Sequence, residues 1–226
     1  MPRTQSVLQF EMMDELLESL GGISPKRVCL KPAPGTATEK DVIHYLHREK
    51  RKFELIDGTL VEKVMGLKES AIALELGRIV GNWNVEQGDL GMVAGADGTM
   101  RFMKGLVRIP DLSFTRWGRL PGGVYPSEPV PDLAPDLAVE VLSEGNTKAE
   151  MERKLKEYFL AGVELVWFVD PDKRTVRVYT SPDDSKELSG SDTLTGGDVL
   201  PGFKVKIAEL FKRLPVPPKS KKKNGR

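Results

Sequence analysis

Cysteine is almost absent from this chain. Cys29 stands alone, which excludes an intrachain disulfide framework and a multi-cysteine zinc site. Histidine is nearly as scarce, with only His44 and His47. Their i, i+3 spacing is compatible with a metal, but no third soft ligand completes a site, and both read as ordinary, partly exposed side chains. Long apolar runs are missing too: none approaches the roughly 18 residues of a membrane span. The start, Met1-Pro2-Arg3-Thr4-Gln5-Ser6, has no signal-peptide core. A soluble, cytoplasmic protein without membrane contact is expected. An excess of charge is also lacking, because 34 Lys and Arg face 33 Asp and Glu for a net +1. That balance gives no global polyanion-binding signal, so any nucleic-acid surface must be a local patch.

What remains is enough for one core with extensions at its ends: 226 residues. The expected division is an N-terminal helical extension (1–51), a main domain (52–213) and a basic tail (214–226) that is too lysine-rich to fold. Leu8, Phe10, Met12, Met13, Leu16, Leu17 and Leu20 have helical spacing, stopped by Gly21-Gly22. Thr38 and Asp41 form a capping-box pair opening a helix to about Lys50. The stretch Phe53–Glu62 is a hairpin turning at Asp57-Gly58, a type I′ pair. Residues 68–86 read as an amphipathic helix, 107–114 and 136–142 as strands separated by a Pro- and Gly-rich loop, and 147–161 as a helix ended by Gly162. An apolar strand, 163–169, follows. Strand 136–142, helix 147–161 and strand 163–169 then make one right-handed β-α-β crossover within a mixed α/β sheet.

Chemistry enters through an acid in an apolar strand. Pro135-Asp136-Leu137-Ala138-Val139-Glu140-Val141-Leu142-Ser143 places Glu140 between two valines, and a buried carboxylate needs a metal or a basic side chain to compensate it. Alternation puts Asp136, Ala138, Glu140 and Leu142 on one face, expected to stay open to a ligand, and the apolar set Leu137, Val139 and Val141 on the core face. Asp111 lies in a similar run, Val107-Arg108-Ile109-Pro110-Asp111-Leu112-Ser113-Phe114. If the two strands are neighbours, about 4.8 Å apart, both carboxylates reach one Mg²⁺, which accepts hard oxygen ligands and keeps several waters. The next helix offers Lys154, on one stripe with Glu150 and Tyr158. Taken alone, that stripe reads as an ordinary surface Glu-Lys ion pair.

These blocks resemble the Uma-type restriction endonucleases, a bacterial family of the PD-(D/E)XK nuclease superfamily. The resemblance runs from about Phe53 to Phe211. It rests on Phe53–Glu62, Ile109–Phe114, Pro135–Ser143, Lys154–Val163, Leu165–Pro171, and Thr193-Leu194 leading to Gly197–Phe203. It implies a restriction-endonuclease-like core, a mixed sheet flanked by helices, with Mg²⁺ (or Mn²⁺) at the sheet. Asp111 resembles the first acid of the motif and Glu140 the second. Leu142 stands where the motif has its lysine, and Lys154 from the next helix resembles the substitution that some superfamily members make. Glu69, opening helix 68–86, is the candidate for a further acid in the metal shell, with Glu75 and Glu62 as rivals.

The function so implied is Mg²⁺-dependent hydrolysis of DNA phosphodiester bonds, by a protein expected to form a homodimer so that two sites cut two strands. The alternative is a catalytically silent DNA-binding or interaction module of the same fold, consistent with Leu142. A third reading takes RNA or branched DNA as substrate, with Arg116, Trp117 and Arg119 of loop 116–134 contacting phosphate and a stacked base.

Overall fold

The computed structural model describes residues 10–214. The expected helix start at Leu8 and the lysine-rich tail from 215 onward lie outside the described residues. Helix α1, Met13–Ser19, is shorter than its apolar spacing and is stopped by Gly21 and Gly22 at φ of 86° and 71°. Helix α2, Glu39–His44, is opened by the Thr38–Asp41 capping box. It then loosens into a π-helical turn, Tyr45–Glu49, that ends on left-handed Lys50. The hairpin forms as β1, Phe53–Ile56, and β2, Thr59–Glu62, with Asp57 and Gly58 at φ of 48° and 69° as a type I′ turn requires. Helix α3 spans Leu67–Glu86. Strands β3 (Gly91–Gly95), β4 (Met100–Met103), β5 (Leu106–Arg108), β6 (Leu112–Arg116) and β7 (Leu137–Val141) follow. Helix α4, Lys148–Leu160, leads to β8, Leu165–Asp170. The described residues continue with β9 (Thr175–Tyr179), β10 (Ser185–Ser189), β11 (Thr193–Gly196), β12 (Leu200–Lys206) and α5 (Ile207–Leu210).

Among the described residues three sheets result: β2-β1-β5-β4, the six-stranded β10-β9-β8-β7-β6-β3, and the pair β11-β12. Strands β7 and β8 are parallel and every other pair is antiparallel. A parallel pair needs a crossover, and α4 supplies it, as the pattern of 136–169 predicts. The odd residues of β7, Leu137, Val139 and Val141, pack with Trp167 and Val169 under Ile72, Leu76, Val80 and Trp83 of α3. On the other side, Ala138, Val166 and Phe168 pack under Met151, Leu155 and Tyr158 of α4. Both faces of the central strands are therefore covered. The expectation that one face of β7 stays open is corrected: α4 lies over it, and Glu140 is 4% exposed.

A second correction concerns 107–114, which is two strands in two sheets. Pro110 has no N–H to continue a ladder, and the chain leaves β5 in the smaller sheet and enters β6 in the larger one there. Asp111 stands at that seam, where its N–H donates to the Val139 carbonyl at 3.0 Å. The N-terminal segment packs onto the same body. Leu16, Leu20, Ile23 and Val28 share a cluster with Ile56 and Val61 of the hairpin. Arg27 pairs with Glu150 of α4 at 2.8 Å, and a Cβ on Gly21 would lie 2.5 Å from the Glu150 nitrogen.

Candidate active site

Four elements deliver charged side chains to one buried point. In the hairpin, Glu54 is paired with Val61, so their side chains share a face, and alternation puts Lys63 on it as well. The Lys63 N–H donates to the Lys52 carbonyl at 3.0 Å and holds the ladder one rung past β2. The seam contributes Arg108, last residue of β5, and Asp111. Strand β7 contributes Glu140. Helix α4, capped by Thr147 accepting from the Glu150 N–H at 3.0 Å, adds Lys154, Glu157 and Tyr158, whose i, i+3, i+4 spacing is one helix face.

Lys63 Nζ lies 2.8 Å from Asp111 Oδ1 and 3.1 Å from Glu140 Oε2. Lys154 Nζ lies 3.3 Å from Glu140 Oε1 and 3.2 Å from Glu54 Oε1. Glu54 is capped further by Arg108 at 2.7 Å and by the Ile109 N–H at 3.1 Å. Arg108 also donates to Glu157, from Nε at 2.9 Å and from a terminal nitrogen. The Tyr158 hydroxyl donates to Glu140 Oε1, and the Val141 N–H donates to Asp111 Oδ2 at 2.7 Å. Four acids, Glu54, Asp111, Glu140 and Glu157, thus share three cations, Lys63, Arg108 and Lys154, with Arg153 adding a fourth at the rim, 2.7 Å from Glu157.

The electrostatics follow from burial competing with these partners. Desolvation works to raise the carboxyl of Glu54, but Lys154, Arg108 and Lys63 together hold it well below the usual range. Glu140 is also lowered: Lys154 and Lys63 outweigh its burial, helped by the Tyr158 hydroxyl. Asp111 goes the other way, raised by burial and by the neighbouring Glu140 despite Lys63. Burial acts to lower Lys63, and Glu140 and Asp111 reverse that and raise it. The Tyr158 hydroxyl is pushed well above its ordinary value, first by burial and then by Glu140.

Asp111, Glu140 and Lys154 therefore meet, and Glu69 joins them in the wall of a cavity of about 250 Å³ that also touches Lys63. The rivals stand elsewhere. Glu75 pairs with Arg78 on the surface at 2.7 Å, and Glu62 pairs with Arg51 at 3.0 Å. Arg116 and Arg119 are committed to Asp136, at 2.9 and 3.6 Å. Arg116 is the last residue of β6 and Asp111 precedes its first, so the two are about 16 Å apart along the strand. Trp117 packs edge-on against Tyr125, and its indole donates to the Asp89 carbonyl at 2.8 Å. The sequence reading missed Glu54 and Lys63. For Glu54 the signal was present, an acid between Phe53 and Leu55, the same pattern that singled out Glu140.

Among the described residues, no three of His, Cys, Asp and Glu converge into a ready-made metal cage. A Mg²⁺ site does not need one, since one or two carboxylates and water suffice. Asp111 Oδ1 and Glu140 Oε2 already bind one positive charge between them, in the ammonium of Lys63. That hard-oxygen pair fits such an ion.

Comparison with known proteins supplies the family context. The family model Uma2, described as "Putative restriction endonuclease", matches residues 41–208. Among solved structures, the chain is similar to a crystal structure described as "a putative nuclease belonging to DUF820" from Anabaena variabilis. The two are 21% identical with a TM-score of 0.63, over 72% of this chain and 91% of that one. At that identity the likeness carries the fold, α/β with a mixed sheet flanked by helices. Curated proteins give no match.

Proposed function

Because the chain belongs to the Uma2 family of restriction-endonuclease-like proteins, we propose that it is a Mg²⁺-dependent endonuclease hydrolysing DNA phosphodiester bonds, with Mn²⁺ as a substitute ion. The observation that carries this reading is the convergence of Asp111, Glu140 and two lysines on one cavity beside the C-terminal end of β7, where α/β sheets commonly open their sites. Asp111 and Glu140 would hold the ion, and Glu69 in the cavity wall would complete its shell directly or through water. A bound Mg²⁺ supplies a water of lowered pKa and a positive charge for the oxygens of the phosphate under attack. Lys154 has three donors, and Glu54 and Glu140 occupy two. The third is left to orient the attacking water or to meet charge building on the phosphate. Glu54 acts through Lys154 as a positioning residue. Cutting both strands calls for two such sites, and the proposal includes a homodimer.

The test is plasmid cleavage by the wild type, Glu140→Ala and Lys154→Ala, each with and without Mn²⁺, with single-stranded DNA and RNA as further arms. Cleavage that needs the metal and falls at least about a hundredfold in both variants supports the assignment, that being the usual contribution of one such group. Equal cutting by all three proteins refutes it. A wild type that binds DNA but never cuts it would favour the silent module.

A further inference from the structure

Asp111 and Glu140 each have one oxygen engaged by the scaffold and one left over. Asp111 Oδ2 accepts from the Val141 N–H at 2.7 Å. Glu140 Oε1 accepts from the Tyr158 hydroxyl and faces Lys154 at 3.3 Å. The two remaining oxygens, Asp111 Oδ1 and Glu140 Oε2, aim at a single point, and the Lys63 ammonium occupies it at 2.8 and 3.1 Å. Resting on the nuclease reading above, we propose that Lys63 is a displaceable internal counter-ion. It fills the divalent-cation seat while the ion is absent and must leave that seat for the ion to enter.

Two lysines face Glu140, and only one is built to move. Lys154 is wedged between Glu54 and Glu140 with its side chain 2% exposed. The Lys63 side chain is 9% exposed, and among the described residues its ammonium pairs with Asp111 and Glu140 alone. Lys63 also lines a second space, a groove of about 790 Å³ between α3 and β3 that Asp111 borders too and that carries Glu62 and Asp97, the partners of Arg51 and Lys52. A swing into that groove takes the ammonium off Glu140 and towards Glu62 and Asp97, vacating the point between the two carboxylates. Its backbone stays fixed, because its N–H is bonded to the Lys52 carbonyl. Without a counter-ion, Asp111 and Glu140 would face each other as two uncompensated buried charges. With a permanent one, no second cation could enter. A tethered ammonium beside a groove satisfies both conditions, and it makes metal affinity a competition that Lys63 sets.

The experiment measures Mn²⁺ binding by calorimetry, with no substrate present, on the wild type, Lys63→Met, Lys63→Arg and Glu140→Gln. Competition between two cations for one seat is a coupling of ordinary size, so Lys63→Met should bind Mn²⁺ about tenfold more tightly than the wild type. Its metal-free form should also melt lower, with the difference closing at saturating Mn²⁺. Lys63→Arg, whose fork spans both carboxylates, should bind Mn²⁺ more weakly, and it carries the test should Lys63→Met fail to fold. Affinity unchanged or reduced in Lys63→Met, or unchanged in Lys63→Arg, overturns the proposal. If the wild type binds and Glu140→Gln does not, such a result removes the counter-ion role and leaves the nuclease reading standing. Absence of Mn²⁺ binding in every protein removes both.

Discussion

Replacing Glu54 by Gln tests whether the buried charge network is held as the distances imply. Glu54 is 1% exposed, and removing one partner of a buried ion pair commonly costs about 3–5 kcal/mol. Neither cation is orphaned here, since Arg108 keeps Glu157 and Lys154 keeps Glu140. The Gln oxygen can still accept from the Ile109 N–H. What is lost is the charge on two contacts, roughly 1 kcal/mol each when a bond to an ion becomes a neutral one, and the new amide group, in the Oε2 position, turns its protons on Arg108, which adds about 1 more. The expected loss is about 3 kcal/mol, read as a lower urea midpoint at constant m-value and a melting temperature lower by about 6–12 °C. The effect has a pH signature. The folded carboxyl lies below its ordinary value, so the unfolded chain takes up the proton first as pH falls. Its contribution is complete above the ordinary Glu value of about 4.3 and is lost as pH drops below that, so wild type and Glu54→Gln should converge in acid. A loss under about 1 kcal/mol, or a gap that widens in acid, would refute the reasoning.

Two further substitutions address the site's acids. Tyr158→Phe deletes one hydroxyl that donates to Glu140 while keeping the ring stacked on Phe102. It should fold, lose about 1.5–3 kcal/mol in urea denaturation, and leave Glu140 easier to protonate. Glu69→Gln should weaken Mn²⁺ binding in titration calorimetry, whereas Glu75→Ala, which breaks only a surface pair with Arg78, should change neither that binding nor the urea midpoint by more than about 0.5 kcal/mol.

Local rules made much of this molecule legible. The Asp57-Gly58 turn, the Thr38–Asp41 capping box and the crossover over 136–169 all depend on residues near each other in sequence, and they form. The strand over 107–114 reads as continuous because its residues are apolar throughout, yet Pro110 lets the chain change sheets in its middle. Glu140 and Glu54 announce themselves by the same conflict, a charge in a buried strand. Their compensation does not, because it is tertiary: Lys63 and Glu140 are 77 residues apart, and Glu54 and Lys154 are 100 apart. Lys63 reads as a solvated lysine at a strand end, and only the packing of the hairpin against β7 turns it inward. The covering of the Glu140 face was hidden for a similar reason, since the apolar stripe of α4 does not say which side of the sheet it will choose.

The division of labour between the Asp111 oxygens sets the denticity of the site. One oxygen is a rung of the sheet, taking the Val141 N–H where the main chain has turned away at the seam. The other has no such bond and is the freer to meet a ligand. A cation that leaves β7 undisturbed is therefore gripped by Asp111 mainly through that one oxygen, and with Glu140 beside it much of its coordination sphere is left for solvent and substrate. That is a poor cage for an ion that wants many protein oxygens and a good perch for one that keeps its waters, as magnesium does.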